Sequence, residues 1–158
     1  MAIRNIVTVG DPILRKQCRP VGEVTDRTRV LIDDMIETMH AANGVGLAAP
    51  QVGIMRRLFV AMPDPEEGSV VVMVDPEIIS LEGNQECEEG CLSVPDTYGI
   101  VNRPEKITIK GKDRDGNMQE YTFEGFGANV MCHEFDHLEG IIFIDKAENL
   151  YDAAGEAK

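Results

Sequence analysis

Residues 125–140 read GFGANVMCHEFDHLEG, a helix over 125–139 with Gly140 as its C-terminal stop. Its centre, His133-Glu134-Phe135-Asp136-His137, has the form H-E-x-x-H. On a helix, residues i and i+4 lie about 40° apart around the axis and one turn apart along it, so His133 and His137 reach a single metal ion. Glu134 sits beside them, placed to handle a proton of water held there. With three His in 158 residues, random placement yields this pattern roughly 0.006 times.

Upstream of this helix the chain reads mostly as strand: residues 58–61, 70–74, 78–81, 107–110 and 119–123, the last two flanking an Asp115-Gly116 hairpin turn. Earlier still, 26–42 reads as an amphipathic helix. Thr25 is its N-cap, Val30, Leu31, Met35 and Met39 form its apolar stripe, and Arg27, Asp33, Asp34 and Glu37 lie away from it. Residues 44–51, with two glycines and a proline, form a shaped loop. Downstream, a short apolar strand over 141–144 leads into a polar tail, 146–158. Strands outnumber helices without βαβ alternation, so the fold class is α+β.

The 158 residues suffice for one domain, 1–158, and folding at that size buries roughly two thirds of the unfolded surface. Hydrophobic residues make up 43% and charged residues 27%, which excludes a disordered or fibrous chain. No apolar run is longer than the one at 70–74, which falls far short of the about 20 residues of a membrane span. The N-terminus lacks the apolar core of a secretory signal, so the expected location is the cytoplasm. A net charge of −13 repels phosphate backbones and argues against free nucleic acid as a ligand. In a reducing compartment the four cysteines are core, metal-binding or catalytic residues instead of disulfides.

Two histidines leave a catalytic metal short of a third protein ligand. Cys91, in Glu88-Glu89-Gly90-Cys91-Leu92-Ser93, is the candidate, because the glycine allows close approach and a metal stabilises the thiolate. Cys132 points about 100° away from His133 and packs in the core. Cys87 shares a strand face with Cys91, which leaves open a role as fourth ligand or pocket wall. Cys18 reads as a buried small hydrophobe and His40 as a polar helix-end residue. The carboxylate run Glu86, Glu88, Glu89 reads as a solvated strand end, with one member available to support a ligand. In the 44–51 loop the Gln51 amide is placed to donate to a developing oxyanion.

Taken together, the segments at 44–51, 89–93 and 133–138 resemble the bacterial peptide deformylase family, whose pattern is G-x-G-L-A-A-P-Q, E-G-C-L-S and H-E-x-D-H-L in that order. The resemblance extends to Gly10-Asp11-Pro12-Ile13-Leu14 and Arg103-Pro104-Glu105 and covers the chain to about Asp145. It implies a hydrolase that removes the formyl group from the N-terminal formylmethionine of new polypeptides during protein biosynthesis, releasing formate. It also implies mixed, mainly antiparallel sheets around a central metal-binding helix, with one long N-terminal helix. Cys91, His133 and His137 are the implied ligands and Glu134 the implied general acid/base. Gln51 and the Leu92 backbone N–H are the implied oxyanion donors. The implied cofactor is one divalent ion, Fe2+, with Ni2+, Co2+ or Zn2+ able to occupy the site.

Candidate walls for the methionine side chain and its peptide are Val45, Gly46, Cys87, Glu89, Gly90, Phe126 and Val130, with Tyr98 along the peptide path. The implied partners are N-formylmethionyl peptides, acted on by a monomer. The 146–158 tail, with two lysines against three acidic residues, does not favour strong ribosome binding. Two rivals stand beside this reading. One is a zinc metallopeptidase, opposed by the missing downstream third His, Glu or Asp. The other is a structural thiolate–metal centre, which has no need of Glu134.

Overall fold

The computed structural model describes residues 2–158. Among the described residues two α-helices and eight strands form, in the order α1 (Asp26–Ala41), β1 (Gly46–Ala48), β2 (Leu58–Ala61), β3 (Val71–Glu82), β4 (Gln85–Cys91), β5 (Val94–Arg103), β6 (Lys106–Lys112), β7 (Met118–Glu124), α2 (Phe126–Leu138) and β8 (Glu148–Tyr151). The expected α+β class stands, and the strands pair antiparallel throughout both sheets. One sheet runs β1-β2-β3-β6-β7 and the other β4-β5-β8.

The long N-terminal helix is not borne out. Before Asp26 the chain carries Gly10, Pro12, Pro20 and Gly22, which leave only a 3-10 turn at Pro12–Arg15. The helix that does form, α1, has 16 residues against 13 in α2. It starts at a reciprocal cap in which the Thr25 and Thr28 hydroxyls each accept the other's backbone N–H at 3.3 Å. Its stripe is rotated from the expected one. Val30 is 57% exposed, while Ile32, Met35 and Met39, at i, i+3 and i+7, pack with Leu47, Leu58 and Val60. Asp34 is buried on a different part of the helix, under the N-terminal segment, where Arg4 pairs with it at 2.9 Å and the Ala2 N–H donates to it at 2.8 Å.

Residues 70–74 and 78–81, read as two strands, belong to the single strand β3 because Asp75-Pro76 makes a bulge instead of a break. Pairing with β6 shifts between Val74 and Glu77, and Asp75 takes φ +50. The Asp75 carboxylate accepts the Val21 and Gly22 N–H groups at 2.7 and 2.9 Å, which compensates for the irregular backbone. The β6–β7 hairpin turns at Asp113, whose carboxylate accepts from the Asp115 and Asn117 N–H groups. Residues 141–144 do not form a strand. Gly140 turns the chain at φ +76, and Ile142 and Phe143 drop into the core ahead of a 3-10 turn at Phe143–Asp145. The 146–158 tail, in turn, contributes β8.

Helix α2 is buried on nearly every side, which makes it a central element instead of a surface one. Ala128, Met131 and Leu138 pack with Phe59, Ala61, Met73, Ile107 and Ile109 of the five-stranded sheet. Its histidine-bearing side meets β4 of the other sheet. No helix among the described residues is long and apolar enough to cross a membrane.

Candidate active site

A tightly buried α2 faces polar side chains into protein, and each must find a partner. His133 Nδ1 lies 2.7 Å from Glu89 Oε1 on β4, which turns Nε2 toward Cys91 and Glu134. One turn on, His137 Nε2 lies 3.4 Å from Cys91 Sγ. The donor atoms of Cys91, His133 and His137 all fall within 4.8 Å of one another. A tetrahedral cation bound at usual zinc-like lengths separates a sulfur and a nitrogen by about 3.6 Å, so the three donors fit a divalent ion with N and S ligands. Burial lowers the His137 pKa, and the neighbouring His133 and Arg103 add to the effect, leaving a neutral imidazole with a lone pair to share.

Glu134 completes one side of this centre. Its Oε2 lies 3.9 Å from His133 Nε2, and Oε1 is buried with no hydrogen-bond partner. Burial pushes its carboxyl up to about 7, partly offset by His133. A cation nearby pulls in the other direction. A Cβ at Gly46 would stand 2.3 Å from Glu134 Oε2, so β1 passes the carboxylate at a distance that only glycine permits.

Gln51 reaches the centre from the other side of the cavity. Its Oε1 accepts the Ala48 N–H at 3.0 Å, and its Nε2 points at Ser93 Oγ (3.0 Å) and Cys91 Sγ (3.4 Å). The residues expected as a loop at 44–51 are thus a short strand, Gly46–Ala48, followed by a 3-10 turn, Ala49–Val52, that fixes this amide.

A cavity of about 300 Å³ opens onto these groups. Of the sequence-derived candidates it is lined by Val45, Gly46, Leu92, Tyr98, Phe126 and Val130, with Glu89 and Gly90 beside Cys91. Cys87 is not brought there. It is buried on the inner face of β4 and joins neither the cavity lining nor the donor group formed by Cys91, His133 and His137. Cys18 and Cys132 lie in the core, where burial pushes both thiols up to about 11, as expected of inert cysteines.

Arg103 is the residue whose role sequence reasoning did not find. It is 2% exposed and makes a two-pronged pair with Glu89 at 2.7 and 2.8 Å, while Nη1 reaches Asp136 at 2.6 Å. Burial alone would raise the Glu89 carboxyl, but the hydrogen bonds from Arg103 and His133 outweigh it and hold Glu89 down at about 2. Glu89 Oε2 is held by Arg103, and Oε1 is shared between Arg103 and His133, which fixes the imidazole. Strand alternation on β5, with Val101 and Arg103 inward, was the available signal. Charged residues on inward positions are rare enough to be passed over.

Residues 3–153 match the family profile described as Polypeptide deformylase. The chain belongs to the polypeptide deformylase family. A peptide deformylase 1 of Clostridium perfringens is 52% identical over 145 residues, 92% of this chain and 98% of the relative. A peptide deformylase of Caldanaerobacter subterraneus subsp. tengcongensis is 47% identical over 152 residues, 96% of this chain and 94% of the relative. The crystal structure of the Thermotoga maritima peptide deformylase superposes with a TM-score of 0.89 at 39% identity, covering 94% of this chain and 99% of that one. Membership of the deformylase family sets aside both the metallopeptidase and the structural-metal readings.

Proposed function

We propose that this chain hydrolyses the formyl group from the N-terminal formylmethionine of newly made polypeptides, releasing formate and a free amine. The observation that carries the reading is the meeting of Cys91, His133 and His137 beside Glu134 and Gln51 in one cavity. Those three side chains would hold a divalent cation, which we take to be Fe2+ with Ni2+, Co2+ or Zn2+ as working substitutes, and it would supply Lewis acidity toward the formyl carbonyl and water. Glu134 takes the proton of the attacking water and returns it to the departing amine nitrogen. Gln51 Nε2 and the Leu92 backbone N–H donate to the oxygen of the tetrahedral species. The departing amide C–N bond breaks as formate leaves, and no redox change is involved.

The cavity also suits an extended peptide. Its walls at Gly46 and Gly90 belong to β1 and β4, each at the end of its sheet, so both offer backbone groups for a substrate strand to pair with. Val45, Phe126 and Val130 supply the apolar surface for the methionine side chain. The reading takes residues 1–158 as one catalytic domain working as a monomer in the cytoplasm.

Anaerobic metal analysis of the purified protein, combined with formate release from a formyl-Met-Ala-Ser peptide, tests the proposal. Formate release that vanishes on chelation and returns with Fe2+ or Ni2+ supports it, and cleavage of an internal peptide bond in place of deformylation sinks it. Gln51→Ala should reduce turnover by about a hundredfold, about 3 kcal/mol of transition-state stabilisation, with metal content intact. A variant turning over at the parent rate removes Gln51 from the oxyanion site. Gly46→Ala should cost on the order of a hundredfold as well, because the new methyl displaces Glu134. Full activity in that variant would show that Glu134 works from a different position.

A further inference from the structure

We propose that the C-terminal strand β8 belongs to the substrate-selecting apparatus, with Tyr151 as a positioning residue that holds Tyr98 at the groove and so sets affinity for the residues that follow the formylmethionine. The inference rests on the deformylase reading.

Gly90, Tyr98 and Tyr151 occupy one row across β4, β5 and β8. Gly90 has no side chain, and the Tyr98 ring fills the space above it: a Cβ at residue 90 would lie 2.8 Å from Tyr98 Cδ1 and Cε1. The ring thereby reaches across β4 to the cavity, where Tyr98 and Glu88 both form part of the wall. On its far side Tyr98 meets the Tyr151 ring, with centroids 6.2 Å apart and planes 28° from parallel. The Tyr151 hydroxyl spans β5 to donate to Glu88 on β4. Tyr151 therefore touches both groove residues without itself lining the cavity.

The tail that carries Tyr151 is firmly placed. Ala147 and Leu150 pack so closely on β5 that a Cβ at Gly99 would stand 2.7 and 3.0 Å from them, and both join the apolar cluster that includes Cys91, Val94 and Val101. The Ala153 N–H donates to Asp96 Oδ1 at 3.0 Å, and Lys158 Nζ donates to Thr97 Oγ1 at 3.1 Å.

Distance along β4 says which part of a substrate is affected. An extended chain advances about 3.3 Å per residue, so Gly90 and Glu88 lie one and three residues from Cys91 and flank the peptide beyond the methionine. The reacting formyl group, beside Cys91 and Glu134, lies outside the reach of Tyr151.

The test measures kcat and KM for formyl-Met amide and for formyl-Met-Ala-Ser amide in the metal-loaded parent, Tyr151→Ala and Tyr151→Phe proteins. The expected result for Tyr151→Ala is a KM about three- to tenfold higher for the tripeptide, with kcat unchanged and both parameters for formyl-Met amide within about twofold of the parent. Tyr151→Phe keeps the stacked ring, and its tripeptide KM is expected within about twofold of the parent. An equal loss on both substrates, no change on either, or a Phe variant that behaves like the Ala variant overturns the proposal. A parent protein that releases formate from neither substrate overturns the deformylase reading itself and this inference with it.

Discussion

Glu134→Gln is expected to lower kcat for deformylation by about a thousandfold or more while leaving the metal content and fold intact. The substitution preserves shape, so Cys91, His133 and His137 keep their geometry, and Gly46 still passes close by. What disappears is the capacity to accept and return a proton. Burial raises the carboxyl above the ordinary glutamate value and a cation held by the neighbouring ligands lowers it, so the two influences on its proton affinity oppose one another. Its Oε1 has no protein partner, which leaves it available to water. Single-turnover assays with matched metal loading separate the chemistry from binding: KM should change little. A variant within tenfold of the parent turnover would assign the proton transfer to another group.

Arg103→Met should produce the largest loss of stability of any single change near the site, about 3–5 kcal/mol. The guanidinium is 2% exposed and makes a two-pronged pair with Glu89, itself 4% exposed, so its removal leaves that buried carboxylate with His133 as its one remaining side-chain partner, while Asp136 keeps Lys146 at 2.9 Å. For a chain of this length that corresponds to a fall in Tm of roughly 6–20 °C. The value lies in what remains behind, since a buried pair replaced as a unit by apolar groups is often neutral. Accordingly, adding Glu89→Gln to the Met variant should recover part of the lost Tm; failure to recover any would assign the loss to packing instead of charge.

The same pair sets a pH dependence. Glu89 is held at about 2 in the fold against 4.5 ordinarily, so its ionised form favours the folded state. That contribution is fully present above pH 4.5 and fades as the pH falls from there through about 2, because the unfolded chain takes up the proton first. In Arg103→Met the depression is reduced to what His133 alone provides, and the acid limb of unfolding should move to higher pH. Circular dichroism during acid titration of parent and variant reads this directly.

Much of the chemistry was legible from residues alone because it depends on short spacings. A helix places i and i+4 side by side whatever surrounds it, so His133, Glu134 and His137 could be grouped before any fold was known. The hairpin at Asp115-Gly116 and the Thr25 cap are likewise decided within a few residues of chain. Other readings failed where a local rule met a tertiary contact. The Asp75-Pro76 pair looks like a break between strands, yet the N–H groups of Val21 and Gly22 stabilise a bulge there and keep β3 continuous. The Glu86, Glu88, Glu89 run reads as a solvated strand end with one member available to support a ligand; alternation along β4 makes that member Glu89, sent inward to His133 and Arg103 while Glu86 and Glu88 stay exposed.

What the sequence determined by itself was a metal-capable helix, an α+β class and a family. Each rests on interactions between residues near one another in the chain or on a pattern of residue types. Only the tertiary structure decided that the Cys91 sulfur lies 3.4 Å from His137, that Glu89 orients His133 under the grip of Arg103, and that Cys87 stands apart. It also decided that a polar tail becomes a strand against Tyr98. Those facts depend on the register and twist of strands brought together across tens of residues, where burial and cross-strand packing select one pairing among several that the local pattern allows.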